Sequence, residues 1–311
     1  MSGDIGVAGQ SLSHLGVLYA GEAEYLDAVT GFVDEGLAGG ERVMVAVPGA
    51  KMDLIRASLP RRGAHFVDMA ELGRNPGRII PALHEFLHDN GASSCRFVSE
   101  TIWAGRTTAE VAEAVRHEAL MNVAFADSPL SVLCAYDCHA VPADVINKSW
   151  QIHPVVIQDR HRRVSPRYGD PAAVYADDLW PLSPFPRGSE VLDFSSDTDL
   201  ARLRSWVQRF GWAADLPIDR VDDLVLAVSE VASNSIRHGG GKGSLTMWDG
   251  SEGAVQAEVG DAGCISDPLV GRYPPGPDAD VSGLWLVNQL CDLVEIRTGP
   301  GGTRVRLTVS S

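Results

Sequence analysis

Several common protein classes need features that this chain of 311 residues lacks. It has no apolar run long enough to span a bilayer, and its start, MSGDIGVAGQSLSHLG, has no basic segment leading into an apolar one. The expected compartment is therefore the cytoplasm. Cysteine is sparse and odd in number: Cys95, Cys134, Cys138, Cys264 and Cys291 sit mostly in apolar segments, the pattern of reduced, buried thiols rather than a disulfide framework. Only CAYDCH brings Cys134, Cys138 and His139 close, and it lacks a second ligand pair at zinc-like spacing. Basic residues are scarce as well. The 26 Lys and Arg face 41 Asp and Glu, for a net charge of −15. Nucleic-acid binding needs clustered cations, so no nucleic-acid partner is expected, and an acidic surface also avoids anionic membranes. The one basic cluster, RHRRVSPR at 160–167, reads as a solvated connector. No G-x-x-x-x-G-K-[ST] loop occurs; the nearest stretch, VPGAKMD, lacks the spacing.

What is present falls into two patterns. HLGVLYA, RVMVAVPG, AHFVDMA, CRFVSETIW and SVLCAYD read as strands, and the helix-like segments 22–40, 50–59, 76–91 and 107–126 alternate with them. Apolar, β-branched strands separated by helices predict a mostly parallel sheet covered on both faces, over residues 1–157. Residues 158–190 carry charge and prolines without a sustained period and read as a linker, partly ordered by Trp180 and Phe185. The remainder, 191–311, opens with an edge strand, EVLDFSS, and Asp197 as a helix cap. A second helix follows, from Pro217 to Gly239, with Val221, Leu224, Val225, Val228 and Ala232 as its core stripe. GSLTMWDG and AVQAEVGDAG predict a hairpin, SGLWLVNQLCDL a helix, and VEIRTGPGGTRVRLTV two strands around a glycine turn. This half reads as α+β, an antiparallel sheet with helices on one face.

The segment SEVASNSIRHGGG puts Glu230, Asn234 and His238 four residues apart. A step of four advances a helix about 40° past a full turn, so the three form one polar stripe beside the core stripe. Spacing alone also allows a solvated helix face. The stripe runs into glycines, and GDAG, a glycine before an apolar helix, and GPGGT follow in order.

This combination resembles the Bergerat-type ATP domain of the gyrase, chaperone and histidine-kinase superfamily, and within it the anti-sigma-factor serine kinases. The resemblance implies bound ATP and Mg²⁺. It makes Glu230 the base or orienting group for the attacking hydroxyl and Asn234 the Mg²⁺ ligand, with His238 a helix-end or lid contact. Asp261 and Gly263 match the first glycine box, which holds the adenine. Gly283 and Leu284 match the second, whose helix N-terminus faces the phosphates. Thr303, in GGT, matches the threonine that helps hold the aspartate and the adenine. Two positions depart from the pattern: Ile265 and Val281 stand where the family has glycines, and each removes backbone freedom beside the phosphates.

The first half resembles the MEDS sensory domain over about 10–155, on HLGVLYAGEAEYLDAVTGFVDEGLAGGERVMVAVPG, DMAELGRNPGRIIPAL and RHEALMNVAF. That resemblance implies a RecA-like fold, here without a P-loop, and a small-molecule signal. Ligand sites in such sheets lie beyond the carboxyl ends of the strands. Tyr19, Glu100, Trp103, Tyr136 and Asp137 fall near those ends, with His14, His117 and Glu118 adding polar groups.

Taken together, these resemblances imply a sensor-gated serine kinase acting on a STAS-type antagonist, with a sigma factor as the other partner and a homodimer as its expected form. The alternative is a non-catalytic module that sequesters a partner with a degenerate nucleotide site. A sensor histidine kinase would need a helical hairpin where the prolines stand, and a free-standing metabolic enzyme lacks a second catalytic constellation.

Overall fold

The computed structural model describes residues 11–89, 94–176, 181–273 and 283–311. The chain divides into two compact units. One comprises Met1–Gly73, Ala82–Thr107 and Ala114–Asp177, the other Arg74–Pro81, Thr108–Glu113 and Asp178–Ser311.

The first half runs β1 (Ser13–Tyr19), α1 (Glu22–Ala38), β2 (Arg42–Val47), α2 (Gly49–Ser58), β3 (His65–Asp68), α3 (Met69–Leu72), α4 (Ile79–His88), β4 (Cys95–Ser99), α5 (Thr108–Ala124), β5 (Leu130–Asp137), α6 (Ala143–Ile152), β6 (Val155–Gln158), β7 (His161–Val164) and α7 (Pro171–Ala176). Its sheet has the order β3-β2-β4-β5-β1-β6-β7, and every neighbouring pair is parallel except β6–β7. The central strands are buried on both faces, which is why they read as continuous apolar runs. Alternation divides them cleanly. Leu15, Val17 and Tyr19 face α1, packing with Tyr25, Val29 and Val33, while His14, Gly16 and Leu18 point to the other side of the sheet.

The segment read as a linker from 158 begins inside this sheet. Residues 161–164 of the basic cluster form β7, exposed throughout and antiparallel to β6. Asp159 and Arg160 both take positive φ (51° and 63°), the geometry of a two-residue type I′ hairpin turn. No Asn-Gly or Asp-Gly marks that turn, so the sequence concealed it. The charged edge strand also discourages further strand pairing.

The second half runs β8 (Glu190–Phe194), α8 (Asp197–Ala213), α9 (Ile218–His238), β9 (Gly243–Asp249), β10 (Val255–Asp261), α10 (Gly283–Leu290), β11 (Leu293–Gly299) and β12 (Gly302–Val309). Its sheet, ordered β11-β12-β10-β9-β8, is antiparallel throughout. Val221, Leu224, Ala227, Val228, Val231 and Ala232 of α9 are buried in one core with Leu245, Val259 and Leu307 of the strands. Val225 is only half-buried. The cap of α8 is Ser196 rather than Asp197: the Ser196 hydroxyl accepts the Asp199 N–H at 3.4 Å. Upstream of β8, Arg306 donates to the Ser183 carbonyl at 2.7 Å and Phe185 lies 6.1 Å from the Trp248 ring, so this part of the connector is anchored. Trp180 and Val281 lie outside the described residues.

Candidate functional site

In the second half, α9 supplies the polar stripe and the ends of β10, β12 and α10 close around it. A cavity of about 420 Å³ is lined by Asn234, Ser235 and His238 of α9, by Asp261 and Gly263, and by Thr303. Val231, Ile265, Val270, Leu284 and Val305 give it apolar walls. Its size and make-up, mostly apolar with a few convergent polar groups, suit a nucleotide-sized ligand.

Asp261, at the end of β10, is held from two sides. Its Oδ2 accepts the Ser235 hydroxyl at 2.6 Å and its Oδ1 accepts the Gly263 N–H at 2.8 Å. Lone pairs remain on both oxygens for a further donor. Gly263 allows the close approach: a β-carbon there would lie 2.7 Å from the Gly239 Cα. Thr303 makes a different bond from the one expected. Its hydroxyl donates to the Gly263 carbonyl at 3.0 Å and meets the Thr298 hydroxyl at 3.0 Å, rather than holding the Asp261 side chain. Asp261 depends instead on Ser235, whose role the four-residue spacing of its neighbours did not signal.

Gly283 is the first residue of α10, followed by the buried Leu284. A β-carbon on Gly283 would stand 2.7 Å from Glu230 Oε2 and 3.2 Å from Asn234 Nδ2. The helix start is thereby brought against two of the three residues of the stripe. Asn234 and His238 line the cavity, His238 exposed at the helix end, whereas Glu230 reaches the site through Gly283 and is not itself among the lining residues.

The Ile265 departure has a local explanation. Ile265 is not among the residues at positive φ; its N–H donates to the Thr298 hydroxyl at 2.9 Å, and its side chain is half-buried against the core. The backbone at this position does not require glycine.

The residues expected to form one sensor site fall into two groups on opposite faces of the first sheet. On the α1 face, the Tyr19 hydroxyl donates to Glu100 Oε1 at 3.0 Å, and Lys51 Nζ lies 2.5 Å from both. Lys51 also sits over the Tyr19 and Tyr25 rings at 5.1 and 4.8 Å. Burial raises the Glu100 carboxyl against the pull of Lys51, and burial beside Glu100 raises both phenols. Lys51 belongs to VPGAKMD, which the motif reading considered only for phosphate binding.

On the other face, Tyr136 and Thr101 donate to the buried Glu118 carboxylate. Burial pushes this carboxyl up to about 7 despite those donors. His14 belongs to this group. It sits at the beginning of β1 rather than beyond a carboxyl end, and burial lowers its imidazole to about 4. Trp103 joins neither group through a described contact; Arg106 stacks on it at 3.9 Å. Asp137 accepts the His139 N–H at 2.9 Å, a turn at the end of β5.

These features define a sheet-based domain with a buried polar interior, followed by a nucleotide-sized pocket on an α+β scaffold. Residues 13–154 match the family model of MEDS, the methanogen/methylotroph DcmR sensory domain, and residues 195–309 match the histidine kinase-like ATPase domain. The chain therefore carries a MEDS domain and a histidine kinase-like ATPase domain, and the latter implies ATP binding. A search of the curated proteins returned no match.

Among solved structures, the chain is similar to the RsbU and RsbW domains of Rv1364c from Mycobacterium tuberculosis, with 19% identity over 39% of this chain and a TM-score of 0.29. It is also similar to the histidine kinase domain of a blue-light activated histidine kinase from Erythrobacter litoralis, with 19% identity over 36% of this chain and a TM-score of 0.26. The matches span 32% and 59% of those chains, and at such scores neither carries weight for the fold. No helix among the described residues is long and apolar enough to cross a membrane.

Proposed function

We propose that the chain is a cytoplasmic, ATP-dependent serine kinase of the anti-sigma type, whose Bergerat-type C-terminal domain is gated by a small-molecule signal at its MEDS domain. The observation that carries this reading is the meeting of Gly283 with Glu230 and Asn234 at one side of a pocket that holds Asp261. The residues fit Mg-ATP: apolar walls for a purine, a carboxylate with free lone pairs for its amino group, and an amide oxygen of the kind Mg²⁺ accepts. When bound, the nucleotide supplies the phosphoryl group and Mg²⁺ neutralises its charge.

The chain's own residues then do the rest. Asp261, fixed by Ser235 and the Gly263 N–H, orients the base. Asn234 would hold Mg²⁺ through its side-chain oxygen, and the N-terminus of α10 at Gly283 and Leu284 would offer backbone N–H groups to the phosphates. Glu230 accepts the proton of the incoming serine hydroxyl. The proposed substrate is a serine of a STAS-type antagonist, a sigma factor is the partner held in the other state, and the active form is a homodimer.

The test is incubation of the chain with Mg²⁺, γ-labelled ATP and STAS-domain proteins. The kinase reading expects label on the STAS serine, lost in Glu230→Gln. Nucleotide binding with no transfer to any STAS partner would replace it with the partner-sequestering reading.

A further inference from the structure

On the face of the first sheet away from α1, three ligand-type side chains from distant parts of the chain converge: His14 of β1, Cys134 of β5, and His153, which follows α6. One ligand atom from each lies within 4.8 Å of the others, and all three residues are buried, at 2%, 2% and 0% exposure. The two imidazole rings are 4.3 Å apart, centre to centre.

Both histidines have fixed tautomers. His153 Nδ1 lies 2.8 Å from the Ser149 carbonyl, which can only accept, so Nδ1 carries the proton and Nε2 keeps its lone pair. That Nε2 is fully buried and has no hydrogen-bond partner. His14 Nδ1 lies 3.1 Å from Asn122 Oδ1, and the amide is oriented by its own donation to the Ile152 carbonyl at 3.0 Å. His14 therefore also presents an Nε2 lone pair, 3.3 Å from Cys134 Sγ. A buried imidazole that donates Nδ1–H to a carbonyl and turns a bare Nε2 inward is the arrangement of a metal ligand with its supporting partner. Glu118 Oε2 lies 3.6 Å from His153 Nε2, outside the cluster of three, and accepts the Tyr136 hydroxyl. Space for the second ring is built in: a β-carbon on Gly16 would lie 3.1 Å from the His153 ring.

We infer that His14, Cys134 and His153 form a buried site for a transition-metal ion, Zn²⁺ by its ligand set. Two imidazoles and a thiolate are borderline-soft ligands of the kind that bind Zn²⁺ tetrahedrally. Bonds of 2.0–2.3 Å in that geometry place ligand atoms about 3.5 Å apart, close to the His14–Cys134 separation. Binding forms a metal–sulfur bond and breaks the Cys134 S–H bond, releasing one proton to solvent. The three donors do not depend on the ATP pocket.

The experiment uses the full chain carrying Cys138→Ser and Cys264→Ser, which removes the two exposed thiols and their adventitious binding. The protein is refolded from denaturant with Co²⁺ or Zn²⁺ alone, because the site is closed to solvent. One equivalent of bound metal, with a near-ultraviolet thiolate-to-Co²⁺ charge-transfer band, is expected. That band should be lost in Cys134→Ser, and affinity should fall about 10–100-fold in Asn122→Ala, which frees His14. Should Cys134→Ser fail to fold, the parent's stoichiometry and a Zn²⁺-dependent rise in its melting temperature decide the matter. A parent that folds without retaining metal and shows neither the band nor the rise overturns the inference. So does a band that persists in a folded Cys134→Ser.

Discussion

Gly283 and Glu230 are in contact through a side chain that is not there: a β-carbon on the glycine would sit 2.7 Å from the glutamate's Oε2. A side chain at 283 therefore meets the flexible end of Glu230, and the Glu230 carboxylate must move aside to admit it. Gly283→Ala is expected to turn the Glu230 carboxylate aside and lower the rate of phosphoryl transfer, with Mg-ATP affinity changed by no more than about tenfold, the scale of a rotamer shift costing about 0.5–1.5 kcal/mol. Calorimetric titration of the variant reads the affinity, and its far-ultraviolet dichroism should remain that of the wild type.

Ile265 gives the opposite expectation from its place in the sequence. Its N–H is engaged by Thr298 and its side chain packs on the core, so restoring the family's glycine removes buried apolar surface without relieving strain. Ile265→Gly should bind Mg-ATP no more tightly than wild type and should lose roughly 1–2 kcal/mol of stability in urea titration. A tighter-binding variant would show that the isoleucine obstructs the nucleotide.

Arg306 and Glu258 form a buried ion pair on adjacent strands at 2.5 Å, and Arg306 also holds Ser183. Arg306→Ala should cost about 3–5 kcal/mol, because it leaves a carboxylate buried and unpaired. The double change Arg306→Met with Glu258→Leu should recover much of that loss. Urea denaturation of the three proteins tests it, and equal losses in the single and double variants would contradict it.

Glu118 carries a pH dependence of defined sign. Its folded value, about 7, lies above that of an exposed carboxyl, so the neutral form favours the folded state. Its contribution is full below about 4.5 and is lost as pH rises toward 7. Thr101, Tyr136, Cys134 and His153 face it, and His14, lowered to about 4, pulls the other way as pH falls. Relative to Glu118→Gln, metal-free wild type should therefore lose up to about 3 kcal/mol between pH 4.5 and 7.5. Unfolding free energies of both proteins across that range, in chelator, provide the check.

Much of the architecture was legible because periodicity reports burial directly. RVMVAV is short, apolar after its first residue and rich in valine, the composition of a strand buried on both faces, and the steps of three and four among Val221, Leu224, Val225 and Val228 mark the helix that puts Glu230, Asn234 and His238 on one stripe. The misses have physical causes too. The β6–β7 hairpin turns at Asp159–Arg160, whose positive φ no glycine or asparagine announces. Ser196 displaced Asp197 as a cap because either residue satisfies the rule and only geometry chooses.

The sensor residues were gathered by proximity to strand ends, yet alternation sends Tyr19 and His14 to opposite faces of one strand. Cys134 was weighed with Cys138 and His139, its neighbours in sequence. Its partners in space are His14 and His153, the first 120 residues away, and spacing within a short motif cannot reveal such a set.

The central claim is that the pocket around Asp261 binds ATP. Calorimetric titration of Mg-ATP into the wild type and Asp261→Asn tests it most directly. The account predicts micromolar binding in the wild type and its loss in the variant, whose amide no longer offers two acceptor oxygens to Ser235, the Gly263 N–H and the purine. No heat from the folded wild type, or equal affinity in the two proteins, would contradict it.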